Sequence, residues 1–118
     1  ADVVAERRFY EASTSEALLA HQPDLVVDAI DNLTAKAHLV ATCVQRGIPL
    51  VVSGGASGRL DPTAIRIADL GEVTRDPFVK SLRKILRRHH GFAETGPYGI
   101  PTAYSLETPR DPVALAYD

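Results

Sequence analysis

The sequence predicts an α/β fold whose core is a parallel βαβ unit, followed by a C-terminal helix and short strands. Two apolar runs rich in β-branched residues occupy residues 24–30 and 48–53, as is typical of parallel strands buried on both faces. Between them, apolar residues recur at helical spacing from Thr34 to Arg46, and Gly47 is suited to end that helix. Because the connections are short, we expect one right-handed crossover.

The other predicted elements are shorter. In chain order they are a strand over residues 3–10, a helix over 14–20, a strand over 64–68, a helix from 76 to about 90 and a strand over 103–106. Ser13 and Glu16 fit a capping box for the first of these helices. Asp76-Pro77 suits the start of the second, because proline is tolerated in the first helical turn. Apolar and charged residues alternate at 65–67, which predicts a half-exposed strand.

The composition is that of a globular protein and excludes several classes. Of the 118 residues, 45% are hydrophobic and 24% are charged, which argues against disorder. No apolar run approaches the roughly 20 residues that span a bilayer, and the start does not resemble a signal peptide. Cys43 is the single cysteine, so no disulfide within the chain and no CxxC zinc site are expected, and a reducing cytoplasm fits. Because Cys43 lies on an apolar helix face, we expect a buried structural thiol.

Acidic and amide side chains follow the first strand of the βαβ unit. Ligands of open α/β sheets bind at the carboxyl ends of the strands, where Asp28, Asp31 and Asn32 are expected. A carboxylate there suits Mg²⁺, which takes one or two carboxylates together with phosphate oxygens. Asp31 is the candidate ligand, and Asp28, three residues earlier, would lie in the next layer of residues around the metal. The alternative is that Asp31 and Asn32 only cap the following helix, and spacing alone favours that alternative.

One segment of the predicted C-terminal helix is strongly basic and contains no acid. Its basic residues are Lys80, Arg83, Lys84, Arg87 and Arg88. The net charge of −2 shows that the chain as a whole is not a basic nucleic-acid binder, so any such contact would be local. The alternative, which the pattern favours, is a solvated helix face opposite an apolar stripe. Arg59 and Arg66 are weaker candidates for the same contact.

The stretch DLVVDAIDNLTAKAHLVATCVQRGIPLVVSGGASG, residues 24–58, resembles the ThiF/MoeB/HesA superfamily, the bacterial relatives of ubiquitin-activating enzymes. The resemblance implies a Rossmann-like fold and a site for ATP and Mg²⁺. In that superfamily the strand ends in an acidic-x-Asp-Asn type motif whose Asp binds Mg-ATP, and Asp31 with Asn32 matches it. The resemblance therefore implies that Asp31 is the catalytic Mg²⁺ ligand and that Asn32 helps to shape the nucleotide pocket, with Asp28 nearby.

Residues 54–88, GGASGRLDPTAIRIADLGEVTRDPFVKSLRKILRR, resemble the tRNA threonylcarbamoyladenosine dehydratase branch of the superfamily, as does AYSLETP at 103–109. In that branch ATP converts a substrate carboxylate into an acyl-adenylate, and an intramolecular attack then closes a ring and releases AMP. The resemblance implies a tRNA substrate, a homodimer and a sulfur-transfer protein as a partner. The basic segment that contains Lys80, Arg83, Lys84 and Arg87 would then attract tRNA phosphates.

Two absences shape the alternatives. Relatives that activate sulfur carriers usually have a zinc-binding CxxC after the equivalent of residues 64–68, and this chain has none. An adenylyltransferase of a ubiquitin-like sulfur carrier is therefore the runner-up, ahead of a nicotinamide-dependent Rossmann protein. From a different class, a non-catalytic dimerisation or binding module stays open.

The second absence is the superfamily's glycine-rich phosphate loop, which lies N-terminal to the region matched here, together with an Arg and a Lys that contact ATP. We therefore expect residues 1–118 to be the C-terminal portion of a ThiF-type adenylating domain and to be inactive alone. The chain begins at Ala1 and contains no Met, so further residues are expected upstream.

Overall fold

Residues 2–110 are described by the computed structural model, and they form one four-stranded sheet with helices. In chain order the elements are α1 (Ser15–Leu18), β1 (Val26–Asp28), α2 (Leu33–Arg46), β2 (Leu50–Ser53), a 3₁₀ turn (Pro62–Ala64), β3 (Ile65–Asp69), α3 (Pro77–His89) and β4 (Pro101–Ser105). The strand order is β1-β2-β4-β3, in which β3 runs antiparallel to β4 and the other pairs are parallel. The predicted α/β fold is confirmed. No helix in this range is long and apolar enough to cross a membrane.

The βαβ unit forms as its sequence pattern predicts. Val27 pairs with Val51 in the parallel ladder between β1 and β2. The helix between them starts at Asn32, whose side-chain oxygen accepts a hydrogen bond from the Ala35 N–H at 3.0 Å. It ends at Gly47, whose φ of 67° lies in the left-handed region that glycine adopts at low cost. Local signals therefore set both ends of α2.

Within residues 2–110, helices cover one face of the sheet. Val52 and Thr102, which are register partners in β2 and β4, are fully buried in the core that α2 and α3 share with the sheet. On the opposite face Val27, Ile65 and Ile67 are 67%, 53% and 66% exposed. The prediction that the first strand is buried on both faces is therefore wrong for residues 2–110, because no described element packs against that second face.

The N-terminal segment also departs from its prediction. Residues 3–10 form no strand, because no strand within the described part of the chain pairs with them. The helix after them is one short turn, and Thr14 takes its N-cap position without a side-chain hydrogen bond. Ser13 donates its hydroxyl to Glu11 and does not form the predicted capping box with Glu16. The strand prediction was wrong because the local pattern does not include the partner that a strand requires, and the capping box was wrong because Glu11 competes for the Ser13 hydroxyl.

Asp69, at the end of β3, organises the loop that leads into β4. Its Oδ1 accepts hydrogen bonds from the N–H groups of Gly71 and Tyr98, both at 2.8 Å. Its Oδ2 accepts from Gly99 and Ile100 at 2.6 and 3.0 Å. Burial raises the pKa of Asp69, but these four N–H groups together lower the pKa below its ordinary value. The ionised carboxylate therefore stabilises the folded loop.

We expect Asp69→Asn to lower the free energy of unfolding by about 1 to 3 kcal/mol at pH 7, because the new amide N–H₂ would face two N–H donors. Since the folded-state pKa of Asp69 is depressed, its contribution is complete above the unfolded pKa of about 3.9 and is lost as the pH falls through the lower folded value. The free energies of unfolding of the wild type and of Asp69→Asn, measured with urea, should therefore become equal at acidic pH. Asp24→Asn, at an exposed position, is the control, and a difference that stays constant with pH would contradict this account.

Candidate functional site

Two chain segments meet at the carboxyl edge of the sheet. The strands β1 and β2 are parallel neighbours that end at Asp28 and Ser53, so the residues after each strand emerge side by side. Residues 29–32 lead into α2, and residues 54–55 form a glycine turn. This is the edge at which open α/β sheets bind ligands.

Asp31 lies exposed at this edge and lines an open cleft of about 1150 Å³. The cleft separates residues 8–12 from residues 30–35, with His38 and His90 at its side. Among residues 2–110 no side-chain hydrogen bond engages Asp31, and the helix cap is supplied by Asn32 instead. Capping therefore accounts for Asn32 but not for Asp31, whose carboxylate faces the cleft without a structural task.

The far wall of the cleft is held by Tyr10. Its hydroxyl is hydrogen-bonded to the Ser15 hydroxyl at 2.7 Å and to the His38 ring at 2.9 Å, so residues 8–12 are attached to both α1 and α2. The ring of His38 stands edge-on to that of His90. Burial first, and then the nearby His38 and His89, lower the pKa of His90. The wall of the cleft beside Asp31 therefore contains the aromatic rings of Tyr10, His38 and His90.

The donors at Asp31 suit a metal that arrives with its own ligands. No group of three or more His, Cys, Asp or Glu side chains within the described range could hold a metal ion. Mg²⁺ in nucleotide sites needs no such group, because it is bound by one or two carboxylates together with phosphate oxygens and waters. A single uncommitted carboxylate beside an open cleft therefore fits Mg²⁺ bound to a phosphate ligand.

Asp28 is not open to a ligand, because it is fully buried beside Lys36. Its Oδ1 lies 3.3 Å from the Lys36 Nζ, and neither side chain has any exposed surface. The same Oδ1 accepts a hydrogen bond from the Ile30 N–H at 3.0 Å. Asp28 therefore contacts the chain that leads to Asp31 from within the core, beside a lysine that the sequence analysis missed.

Lys36 could have been recognised from its helical position. It lies three and four residues before Leu39 and Val40, so it continues the apolar stripe of α2 and must be buried. A lysine at such a position needs buried acceptors. Burial lowers the pKa of Lys36 and raises the pKa of Asp28, and in each case the partner's charge opposes the effect.

Cys43 is buried on the same stripe as Lys36. Burial raises the pKa of its thiol, and the nearby Asp28 raises it further. The prediction of a buried thiol is confirmed, and both its burial and its raised pKa disfavour a nucleophilic role.

The glycine turn after β2 packs against Asp76, the N-cap residue of α3. The Gly55 N–H donates to Asp76 Oδ2 at 3.0 Å, and the Val79 N–H donates to its Oδ1 at 2.9 Å. A Cβ added to Gly54 would lie 2.5 Å from Asp76 Oδ2, so no larger residue fits there. Close packing against Asp76 therefore explains the glycine at position 54.

The structure separates the basic residues of α3 into two groups. Lys80, Lys84 and Arg88 are exposed. Arg83 is half-buried and donates to the carbonyls of Leu70 and Val73, both at 2.9 Å. Arg87 donates to the Arg83 carbonyl and pairs with Glu94 at 3.7 Å. Of the four predicted nucleic-acid contacts, Lys80 and Lys84 are therefore available at the surface, whereas Arg83 and Arg87 have structural partners.

The two weaker arginine candidates also have partners. Arg59 donates to the carbonyls of Ser57 and Arg75 and lies 3.9 Å from Asp76. Arg66 donates to the carbonyls of Thr63 and Ile65. The guanidinium groups of both arginines are therefore bound to carbonyls of the protein itself.

Comparison with known families decides the assignment. Residues 1–94 match the ThiF family. The chain belongs to the ThiF family. This ThiF chain is 36% identical over 108 residues to the tRNA threonylcarbamoyladenosine dehydratase of Bacillus subtilis, covering 92% of the chain and 41% of that relative. It is 40% identical over 84 residues to the Escherichia coli enzyme of the same name, covering 70% of the chain and 31% of the relative.

Solved structures of the E. coli dehydratase, TcdA, share the fold of this ThiF chain. The complex with ATP superposes with a TM-score of 0.84 at 33% identity, and covers 90% of the chain and 44% of TcdA. The complex with AMP gives a TM-score of 0.81 at 34% identity, and covers 86% and 42%. The resemblance inferred from the sequence is confirmed, and the chain spans less than half the length of these relatives.

We expect Asp76→Asn to lower the free energy of unfolding by about 1 to 3 kcal/mol, since either orientation of the amide leaves one N–H donor opposite another. Asp61→Asn is the matched control, because Asp61 also caps a helical turn but is fully exposed. Urea unfolding should show a clear loss for the first variant and a much smaller one for the second. Equal losses of unfolding free energy in the two variants would mean that the burial of Asp76 does not increase the stabilisation that its cap provides.

Proposed function

We propose that the protein containing this chain is an ATP-dependent tRNA threonylcarbamoyladenosine dehydratase, and that residues 1–118 are the C-terminal portion of its adenylating domain. Relatives that share 36% and 40% identity with the chain carry that name. The similar E. coli structures hold ATP or AMP. ATP is the reactant of the adenylation step, and AMP is released when the acyl-adenylate is consumed. The proposal includes a homodimer in the cytoplasm with a sulfur-transfer protein as a partner, as the resemblance implies.

The observation that carries the proposal is the uncommitted carboxylate of Asp31. It follows the parallel strand β1, faces an open cleft and leaves the helix cap to Asn32. When bound there, Mg²⁺ would offset the negative charge of the ATP phosphates. Asp31 would hold the metal and orient it relative to the strand end, while Asn32 would line the pocket at the start of α2.

The reaction needs little covalent chemistry from the protein. The substrate carboxylate attacks the α-phosphorus of ATP, which forms an acyl-adenylate and releases pyrophosphate. An atom of the same modified nucleoside then attacks the activated carbonyl, which closes a ring and releases AMP. The net change is loss of water at the expense of ATP. The residues at the edge of the sheet would act by positioning and by charge.

The uncovered face of the sheet supports a longer parent domain. Val27, Ile65 and Ile67 leave an apolar surface exposed, and β1 is an edge strand whose outer side has no partner among the described strands. A preceding half that carries the phosphate loop would cover this face and extend the sheet. The chain covers 41% and 31% of the two relatives, so each relative is more than twice as long as the region matched here.

Asp31→Asn in the intact protein should weaken binding of ATP in the presence of Mg²⁺ at least tenfold, equivalent to about 1.4 kcal/mol, because the amide is a poor magnesium ligand. Calorimetric titration measures this effect. Asp24→Asn is the control, since it removes an exposed carboxylate that does not line the cleft. Unchanged Mg-ATP affinity in Asp31→Asn would remove this residue from the site.

ATP–pyrophosphate exchange that depends on a sulfur-carrier protein and not on tRNA would favour the runner-up function.

The exposed lysines of α3 are proposed to contact tRNA phosphates. Lys80 and Lys84 lie one helical turn apart on the same face, and Arg88 continues it. Lys80→Gln with Lys84→Gln should reduce the slope of log affinity against log salt by about 1.4 to 1.8, the value for two lost phosphate contacts.

The matched control for this double variant is Arg7→Gln with Arg46→Gln, which removes two exposed charges from other parts of the surface. Binding of tRNA at several salt concentrations distinguishes the pairs. Equal slopes for both double variants would restore the interpretation of α3 as a solvated face.

A further inference from the structure

Lys36 holds the short segment that connects β1 to Asp31. Its ammonium group donates to the Asp28 carbonyl at 3.3 Å and to the Ile30 carbonyl at 3.2 Å, and pairs with the Asp28 carboxylate at 3.3 Å. The Asp28 carboxylate in turn accepts from the Ile30 N–H. Four polar contacts therefore fix three residues of main chain, and Asp31 is the next residue.

We propose that Lys36 is a positioning residue for Asp31, which sets the place of the metal-binding carboxylate at the edge of the sheet. This inference rests on the proposed function, because it assumes that Asp31 holds Mg-ATP. The Ile30 carbonyl lies beyond the last residue of β1, so the sheet ladder does not fix it. Without Lys36 that carbonyl would be free to turn, and Asp31 would move with it.

Stability alone gives little reason for a lysine at this position. Burying two opposite charges costs about as much desolvation as their attraction returns, so an apolar pair of similar volume is often as stable. One oxygen of the pair, Asp28 Oδ2, is also buried without a hydrogen-bond partner among the described residues. An apolar residue at position 36 could not replace the hydrogen bonds that Lys36 donates to main-chain carbonyls.

The charges around Lys36 also suit a neighbouring cation. The ammonium group lies 5.6 Å from the centre of the Phe78 ring at the start of α3, and Asp31 and Asp76 add to the attraction of Asp28. The adjacent Asp28 carboxylate neutralises the lysine at close range. Lys36 can therefore bind the strand end without repelling a divalent ion at Asp31.

The test compares the affinity of the intact protein for ATP with Mg²⁺ and for ATP with EDTA, and uses the ratio of the two. Lys36→Met keeps most of the apolar stem and removes the ammonium group. We expect this variant to reduce the ratio at least tenfold while ATP affinity in EDTA changes less than twofold. A loss of structure alone would change both affinities together.

Asp69→Asn is the matched control, since it also removes hydrogen bonds between a side chain and the main chain but lies at the end of β3, away from β1. It should lower the melting temperature and leave the ratio within twofold of wild type. If Lys36→Met does not fold, Asp28→Asn decides, because its amide oxygen can still accept from Ile30 while the pairing charge is lost. We expect that variant to reduce the ratio at least threefold.

Three results would contradict the inference in different ways. A lower melting temperature with an unchanged ratio in Lys36→Met and Asp28→Asn would show that the pair serves only the fold. A reduced ratio in Asp31→Asn alone would leave the proposed function standing and overturn the role of Lys36. A wild-type ratio near one would overturn the proposed function, and this inference with it.

Discussion

The ammonium group of Lys36 is the constraint on which the edge of the sheet depends. A charged group with no exposed surface must find acceptors within the fold, since an unpaired buried charge is costly. Here the acceptors are a carboxylate and two carbonyls of residues 28–30, with the Phe78 ring on another side. One side chain on α2 thus fixes the relation between β1, its own helix and the start of α3.

A second buried carboxylate does the equivalent work for the neighbouring strand. Asp76 accepts from Gly55 after β2 and from Val79 in α3, so it joins the glycine turn to the helix. Asp28 is joined to a lysine, whereas Asp76 is satisfied mainly by N–H groups. Both devices leave the ends of the two parallel strands well fixed. The main chain at this edge is therefore fixed where both strands end, as catalysis by positioning would require of the proposed site.

Local patterns in the sequence predicted most of the fold, and they failed where the partners are distant. The start and end of α2 follow from Asn32 and Gly47, whose capping interactions lie within one helical turn. The prediction of a strand at residues 3–10 was wrong because a strand is stable only when a neighbouring strand pairs with it. The role of Asp69 could not be predicted, since three of its donors are 29 to 31 residues away.

The sequence predicted the position of the candidate site but not the different environment of each of its residues. The sequence placed Asp28, Asp31 and Asn32 at one strand end, and the structure gives each a separate environment: Asp28 is buried, Asn32 caps the helix and Asp31 faces the cleft. The same separation occurs in α3, where Arg83 and Arg87 contact carbonyls while Lys80 and Lys84 remain exposed.

Charge counted along a sequence therefore overstates the charge that a ligand can meet. A carboxylate or guanidinium that is already bound to main-chain groups would have to exchange those bonds for a ligand, at a cost of about 1 to 3 kcal/mol for each group left unsatisfied. An exposed side chain without such bonds pays only for its own ordering. By this criterion the acid to expect at the nucleotide is Asp31, and the cations to expect at the phosphates of tRNA are the lysines of α3 and not its half-buried arginines.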